Sequence, residues 1–306
     1  METVLETHGL HKRYGNVVAL RSLDLEVKRG EVFGFLGPNG AGKTTFTKCV
    51  TGFVRPNAGD VRILGEDAVR TPTRVAPHIG LVPDQYDFYP NLTGRQHLDF
   101  YGRLQGLGTE QRRRRIGEVL DIVRMTENAD RRVKGYSHGM KQRICIAQAI
   151  LHQPELILFD EPTNGLDPQG AYELRELMKS LAKDGTTVFL NSHQLTEVEQ
   201  VCERVAILHK GVLRTVGRIE DLRRNLGGAS VAIRLRAPTK KHLDAASQFA
   251  GAPVRIDQDT LTAPIQETAV PGLVKALVDS GAHILSVTPS MASLESVFLE
   301  VTGGAA

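Results

Sequence analysis

The chain has 306 residues, of which 41% are hydrophobic and 24% charged, and its formal net charge is +3. This length allows one large domain, alone or with a smaller one, and the composition is typical of a soluble globular protein. The small net charge does not indicate a nucleic-acid partner, because proteins that bind DNA or RNA usually concentrate basic residues on one face.

The cysteines and the apolar runs bear on the compartment. The three cysteines, Cys49, Cys145 and Cys202, lie far apart and show no metal-binding spacing or disulfide framework, which favours a reducing cytoplasm. No signal peptide is predicted at the start of the chain. No apolar run approaches the roughly 20 residues that cross a bilayer. If the protein serves a membrane process, we expect another chain to span the membrane.

From residue 17 to about residue 219, short apolar runs alternate with helical patterns. Continuous apolar runs indicate strands buried on both faces, as in a parallel sheet covered by helices. Their alternation with helices predicts a doubly wound α/β domain. The predicted strands are residues 32–36, 80–82, 156–159, 187–190 and 205–208, and a helix is predicted at 171–182.

Between about residues 91 and 132 the sequence is polar and helix-rich, which indicates a helical insertion in the α/β core. The arginine run at 112–115 in this stretch is interpreted as a solvated helix surface, with contact to phospholipid or to a partner as the alternative.

After a break near residues 226–228, the last part of the chain shows the order βαββαβ and a closing helix at 293–300. The strands are predicted at 231–235, 254–256, 260–263 and 284–287, and the helices at 240–249 and 270–279. This order resembles a ferredoxin-like unit. No motif with a chemical function occurs in this part.

The segment from Gly37 to Thr44 matches the phosphate-loop pattern GxxxxGK[ST], directly after a predicted strand. Glycines let backbone N–H groups surround phosphates, and the following helix directs its positive end towards the anion. Lys43 is expected to reach the β- and γ-phosphates of ATP, and the hydroxyl of Thr44 to bind Mg²⁺. The predicted ATP-binding residues of this loop are Gly37, Pro38, Asn39, Gly40, Ala41, Gly42, Lys43, Thr44 and Thr45.

A second predicted strand ends in Asp160 and Glu161. Asp160 is expected to hold Mg²⁺ through water, as the second half of a phosphate-loop site requires. The carboxylate of Glu161 could orient and deprotonate the attacking water. Two acids after an apolar run are often only the end of a strand, but a preceding phosphate loop favours the functional interpretation.

The segment Tyr136-Ser-His-Gly-Met-Lys-Gln-Arg143 resembles the ABC signature sequence LSGGQ, in the form common among ABC-2-type transporters. Other elements of the ABC family follow in order over roughly residues 4 to 220. Gln85 resembles the Q-loop residue, Asp167 ends a segment similar to the D-loop, and His193 resembles the switch histidine. Tyr14 resembles the aromatic residue on which adenine stacks.

This resemblance implies a P-loop ABC nucleotide-binding domain over residues 1–225, with a helical subdomain at about 91–150. A small α+β, ferredoxin-like domain similar to the accessory domain of export ATPases follows over residues 226–306. It implies ATP and Mg²⁺ as cofactors, and catalysis by Glu161, His193 and Gln85. Gln85 would also bind Mg²⁺, together with Thr44 and Asp160.

In the ABC family the phosphate loop and the signature face opposite ends of the subunit, so two subunits enclose two ATP molecules. The resemblance therefore implies a homodimer, or a pair with a close paralogue. ATP would contact Ser137, Gly139 and Met140 of the other copy, and Asp167. It also implies a separate integral membrane permease, which would hold the chain at the cytoplasmic face of the membrane. The resemblance to ABC-2-type sequences favours export, or work on a lipid-linked or hydrophobic substrate.

The signature departs from the consensus at His138, where glycine is usual, and a positive φ there would cost strain. The motifs disfavour two other functional classes. A soluble ABC ATPase acting on ribosomes or DNA is disfavoured, because the chain has a single set of motifs and no long coiled coil. A regulatory module that binds ATP without turnover is disfavoured by the presence of Glu161 and His193.

Overall fold

The computed structural model describes residues 2–225, 229–291 and 293–303. The chain divides into two compact units, Met1–Val216 and Gly217–Ala306. The boundary lies earlier than the predicted division after residue 225, and the predicted break at 226–228 lies outside the described residues. Among the described residues, no helix is long and apolar enough to span a bilayer.

The strands of the first unit are β1 (Thr3–Tyr14), β2 (Val17–Lys28), β3 (Val32–Leu36), β4 (Ala58–Ile63), β5 (Glu66–Asp67), β6 (Ile79–Val82), β7 (Leu156–Asp160), β8 (Thr187–Ser192), β9 (Arg204–His209) and β10 (Val212–Arg218), the last of which reaches the boundary. Its helices are α1 (Lys43–Val50), α2 (Pro72–Val75), α3 (Gly94–Leu104), α4 (Thr109–Ile122), α5 (His138–Ala149), α6 (Pro168–Lys183) and α7 (Leu195–Val201).

The main sheet has the order β10-β9-β3-β8-β7-β6, and the contacts from β9 to β6 are parallel. Every residue of β3, β7 and β8 is buried, as the continuous apolar runs predict for strands covered on both faces. Parallel strands place their carboxyl ends at one edge, so the ends of β3, β7 and β8 are neighbours. The predicted α/β fold is confirmed.

A second sheet, with the order β2-β1-β4-β5, is antiparallel. This sheet is not among the elements predicted from the sequence. Its buried face joins the hydrophobic core. In this core Phe46 of α1 stacks on Phe35 at a centroid distance of 4.6 Å and on Phe189 at 5.4 Å. The aromatic cluster anchors the helix that follows the phosphate loop against the main sheet.

Helices α3, α4 and α5 form the predicted helical insertion. Arg112 and Arg115 of α4 are each only 8% exposed. Arg112 Nε donates to Asp99 Oδ1 at 2.6 Å, and Arg115 Nη2 donates to Ile150 O at 2.9 Å. The interpretation of residues 112–115 as a solvated surface is therefore wrong for these two arginines, which face neighbouring helices. It holds for residues 113 and 114, which are exposed.

The second unit contains α8 (Ile219–Asn225), β11 (Ala229–Arg236), α9 (Lys240–Ala250), β12 (Arg255–Asp257), β13 (Thr260–Ala263), α10 (Val270–Asp279), β14 (His283–Met291) and α11 (Leu294–Thr302). Its antiparallel sheet has the order β12-β13-β11-β14. This arrangement agrees with the predicted ferredoxin-like βαββαβ order. Helix α8 contacts α11 and therefore belongs to the second unit. The boundary between the units accordingly lies before residue 219.

Candidate active site

The loop between β3 and α1 requires glycine at two positions. A Cβ on Gly37 would lie 2.4 Å from the carbonyl oxygen of Leu208. Gly42 has φ of 113° and precedes α1, and a Cβ there would lie 2.5 Å from Ala19 O. No side chain caps the start of α1, so its first N–H groups remain available to an anion.

Lys43 is the first residue of α1 and is 6% exposed. Its Nζ donates to Gly37 O at 2.8 Å and lies 3.4 Å from Glu161 Oε1. The ammonium group is therefore held inside the curve of the loop and near the acidic end of β7. A cation in this position neutralises phosphate charge.

The loop opens into a cavity of about 840 Å³. The predicted site residues that line it are Pro38, Asn39, Gly40, Ala41, Gly42, Lys43, Thr44, Thr45, Gln85, Asp160, Glu161 and His193. The cavity thus brings together the phosphate loop, the end of β7, the residue after β8 and the Gln85 loop. Its volume suits a nucleotide-sized ligand.

Asp160, the last residue of β7, is 6% exposed. Its Oδ1 accepts a 2.9 Å hydrogen bond from Asn191 Nδ2. Burial raises the pKa of the Asp160 carboxyl, and the bond from Asn191 opposes that rise. Asn191 is not among the site residues predicted from the sequence. A polar side chain that ends a buried apolar run, two residues before His193, is the signal that could have found it.

Glu161 follows β7 with φ of 50°, a left-handed conformation that costs a non-glycine residue roughly 1–3 kcal/mol. Its N–H donates to Asn191 O at 2.9 Å. Its Oε2 accepts from the Nδ1–H of His193 at 2.8 Å and lies 3.4 Å from Ser192 Oγ. The end of β8 therefore holds both the backbone and the carboxylate of Glu161.

Tyr14 is not among the residues that line this cavity. Its side chain is 44% exposed, and Lys12 Nζ lies 5.0 Å from the centre of its ring. The cavity lining does include Val17, Val18 and Ala19 at the start of β2, which follow Tyr14 closely in the chain. Tyr14 therefore remains a predicted adenine contact.

Ser137, Gly139 and Met140 also lie outside the lining of this cavity. Ser137 caps α5, and its Oγ accepts from Met140 N–H at 3.3 Å. His138 is the first residue of α5 and has a helical backbone, so the strain considered for this position does not arise. Its Nε2 lies 3.0 Å from Asn164 O.

Asp167 is likewise absent from the cavity lining and caps α6. Its Oδ1 accepts from Gly170 N–H at 2.7 Å. The side chain thus has a structural role in the single chain, whatever contacts it makes in an assembly. Asn164, earlier in the same loop, does line the cavity, and its Nδ2 donates to Asp84 Oδ1 at 3.3 Å.

The model of the ABC transporter family matches residues 20–164 of the chain. The daunorubicin resistance ATP-binding protein DrrA3 of Streptomyces coeruleorubidus is 36% identical over 305 residues, covering 99% of this chain and 96% of that protein. The bacitracin transport ATP-binding protein BcrA of Bacillus licheniformis is 36% identical over 306 residues, covering 99% of each. The chain belongs to the ABC transporter ATP-binding proteins.

Solved structures agree with this assignment. The structure of an ATP-binding subunit of an ABC transporter covers 73% of this chain and 93% of its own, with a TM-score of 0.67 and 31% identity. A dimeric ATP-binding cassette in a post-hydrolysis state, bound to ADP and phosphate, covers 70% of this chain and 98% of its own, with a TM-score of 0.64 and 27% identity. This ABC protein is an ATPase whose hydrolysis of ATP drives transmembrane transport.

Proposed function

We propose that this ABC ATPase is the motor subunit of an ABC-2-type exporter, and that it works as a pair of copies on a separate membrane permease. The observation that carries the motor function in this proposal, the hydrolysis of ATP, is the position of Glu161. Its carboxylate lies between Lys43 and His193 in the phosphate-loop cavity. A carboxylate held beside the expected γ-phosphate position is placed to act on an attacking water.

The donor set of the cavity fits Mg²⁺. Thr44 contributes a hydroxyl, Asp160 a carboxylate and Gln85 an amide oxygen, and all three residues line the same cavity. Mg²⁺ prefers oxygen ligands and is usually held by one or two carboxylates together with substrate phosphates. When bound, the ion would neutralise charge on the phosphates. Thr44, Asp160 and Gln85 are the residues proposed to hold it.

The protein groups have separate tasks in the proposed reaction. Lys43 neutralises phosphate charge, and the free backbone N–H groups among residues 39–45 bind the phosphate oxygens. Glu161 orients the attacking water and takes its proton. His193 holds the carboxylate of Glu161 through its Nδ1–H and lines the cavity beside it. Catalysis by such a site is mainly positioning and electrostatic stabilisation.

The second copy completes the site in this proposal. Ser137, Gly139 and Met140 lie outside the cavity of their own chain, and the proposal places them against the ATP bound by the other copy. Ser137 is the N-cap of α5, and the N-terminal dipole of this helix favours an anion. The γ-phosphate would then stabilise the closed pair, because ADP lacks the group that makes these contacts.

Attachment to the permease is assigned to the surface between Gln85 and Tyr101. On this surface Tyr89 is 53% exposed and Phe100 37% exposed, and their rings pack edge to face at 5.5 Å. Exposed aromatic residues next to the Gln85 loop suit contact with a short helix of the membrane protein. The chain would thereby be held at the cytoplasmic face of the membrane.

The direction of transport is inferred from the relatives. DrrA3 is named for daunorubicin resistance and BcrA for bacitracin transport. We infer export. The resemblance to ABC-2-type sequences supports a hydrophobic or lipid-linked substrate, and we propose that the permease selects it.

The pairing is tested with the Glu161→Gln variant, which should bind ATP without turning it over. Light scattering should show a closed dimer with Mg²⁺ and ATP, and a weaker or open association with ADP. Ser137→Ala in the same background should weaken the ATP-bound dimer. Identical scattering with ATP and ADP would contradict the proposed pairing.

The proposed docking surface is tested by cross-linking from position 89. Cross-links that never reach a membrane protein would contradict it.

A further inference from the structure

Asn191 joins several parts of the active site. It lies near the carboxyl end of β8, in register with Asp160 of β7, and is 1% exposed. Its Nδ2 donates to Asp160 Oδ1 at 2.9 Å and to Thr47 Oγ1 of α1 at 3.3 Å. Its backbone oxygen accepts from Glu161 N–H at 2.9 Å. One buried residue therefore contacts both acidic residues and the phosphate-loop helix.

The amide of Asn191 has a defined orientation. An ionised carboxylate can only accept hydrogen bonds, so the NH₂ group must face Asp160. That orientation leaves Oδ1, which is buried and has no hydrogen-bond partner among the described residues. Leaving such an atom without a partner costs roughly 1–3 kcal/mol, and native structures usually satisfy it. A donor such as a bound water is the kind of group that Oδ1 requires.

Burial alone does not explain an asparagine at this position. The preceding residues of β8 are buried, and Val188, Phe189 and Leu190 are apolar. An apolar residue at 191 would continue this run without the cost of burying an amide. The amide makes its shortest hydrogen bond to the carboxylate assigned to Mg²⁺, which indicates that its role lies in the site.

We propose that Asn191 is a positioning residue that holds the Asp160 carboxylate in the orientation required for binding of Mg²⁺ and ATP together. The inference rests on the proposed magnesium site at Thr44, Asp160 and Gln85. With Oδ1 of Asp160 held by the amide, Oδ2 is directed elsewhere and remains available to the ion or its water. Without the amide, the buried carboxylate loses its hydrogen bond and can rotate.

The test measures the affinity of the full chain for a fluorescent, non-hydrolysable ATP analogue, in EDTA and at saturating Mg²⁺. The ratio of the two affinities is the gain due to Mg²⁺. In Asn191→Leu we expect the affinity in EDTA to stay within about twofold of wild type, because the phosphate loop is intact. The gain should fall about tenfold, or about 1.4 kcal/mol.

Two further variants control for damage to the fold. In Asn191→Ser the new side chain is smaller than asparagine, so the strand can accommodate it without a steric clash. The serine hydroxyl is too short to reach Asp160, so the gain in affinity due to Mg²⁺ should fall in this variant as well. Thr187→Val removes a buried hydroxyl at the other end of β8, where it accepts from Gly30 N–H at 3.1 Å. Its gain should match wild type even if its thermal stability is lower.

The outcomes separate this inference from the proposed metal site. An unchanged gain in both Asn191 variants, or an equal loss of affinity with and without Mg²⁺, overturns the positioning role. Asp160→Asn should abolish most of the gain. If it does so while the Asn191 variants keep the full gain, only the role of Asn191 fails. If wild type shows no gain, or Asp160→Asn keeps it, the magnesium assignment fails together with the inference.

Discussion

The carboxylate of Glu161 contacts a lysine on one side and a histidine on the other, with distances of 3.4 Å from Oε1 to Lys43 Nζ and 2.8 Å from Oε2 to His193 Nδ1. Its left-handed backbone is held by Asn191 O. Strained residues of this kind occur at functional sites, where the surroundings hold them in place. The geometry supports the predicted role of Glu161 as the base.

Glu161→Gln should keep ATP binding and lower the rate of phosphate release by about 10²–10⁴-fold, the usual contribution of a positioned general base. The amide keeps the shape of the side chain but cannot take a proton from water. Steady-state phosphate release and nucleotide binding are measured on the same preparation. Turnover at the wild-type rate would contradict the assignment of the base.

A second residue-scale prediction concerns acid stability. His97 is fully buried, and its Nε2–H donates to Gln148 Oε1 at 2.9 Å. Burial lowers the pKa of His97 below its ordinary value of 6.5, and the pKa of His152 is also lowered by burial. Below pH 6.5 the unfolded chain therefore binds protons that the folded chain does not. The free energy of unfolding should fall as pH drops from 6.5 towards the folded pKa.

Each of the two histidines contributes at most about 1.4 kcal/mol per pH unit to this slope. Urea unfolding from pH 7.5 to 5 measures it, and His97→Gln should make the slope shallower, with His152 supplying part of the remainder. The readout is the slope of the free energy of unfolding against pH, and not its absolute value, because the substitution also changes packing against Phe88 and Tyr101. An unchanged slope in His97→Gln would contradict the prediction.

At the scale of one element, Asp167 is both the N-cap of helix α6 and a predicted contact of the nucleotide site. Asp167 was predicted as an ATP contact, and in the single chain its carboxylate caps the helix through Gly170 N–H. Aspartate and serine are both good N-caps, whereas alanine is not. The side chain therefore contributes to stability independently of nucleotide.

Asp167→Ala should lower the free energy of unfolding by about 1 kcal/mol, and Asp167→Ser by much less, because a serine hydroxyl can accept the same hydrogen bond. Denaturant unfolding without nucleotide measures both. If the two variants lose ATP binding equally while only alanine loses stability, the carboxylate has a nucleotide role besides the cap. Equal stability of alanine and wild type would rule out a stabilising cap.

At the scale of the whole molecule, the cavity lies within one of the two compact units. All the residues that line it fall between residues 17 and 193, and the first unit ends at Val216. The second unit has its own buried core, which includes Ile233, Leu261 and Leu273. We propose a regulatory or dimer-stabilising role for this unit.

A shortened chain of residues 1–218 keeps all of β10 and should bind ATP, with hydrolysis within a few-fold of the full chain. Dimer stability or coupling to transport should change instead. Nucleotide binding, phosphate release and sedimentation are compared between the two chains. A shortened chain that is folded and monodisperse but unable to bind ATP would show that the second unit belongs to the nucleotide site.

The sequence alone determined the features that depend on local pattern. Continuous apolar runs predicted β3, β7 and β8 because strands covered on both faces have no exposed side. The glycines and Lys43 predicted the phosphate loop, because glycine lets the backbone approach an anion closely and lysine supplies a positive charge for it. The βαββαβ order of the second unit was also predicted, since each of its elements has its own short-range signal.

Tertiary structure decided what depends on contacts between distant residues. The pairing of β1 with β4 was missed because it joins residues nearly sixty positions apart, as in Leu5 and Ile63. The burial of Arg112 and Arg115 depends on partners in other helices. Asn191 meets Asp160 only because the register of β7 and β8 places them side by side, although the two residues are 31 positions apart in the chain.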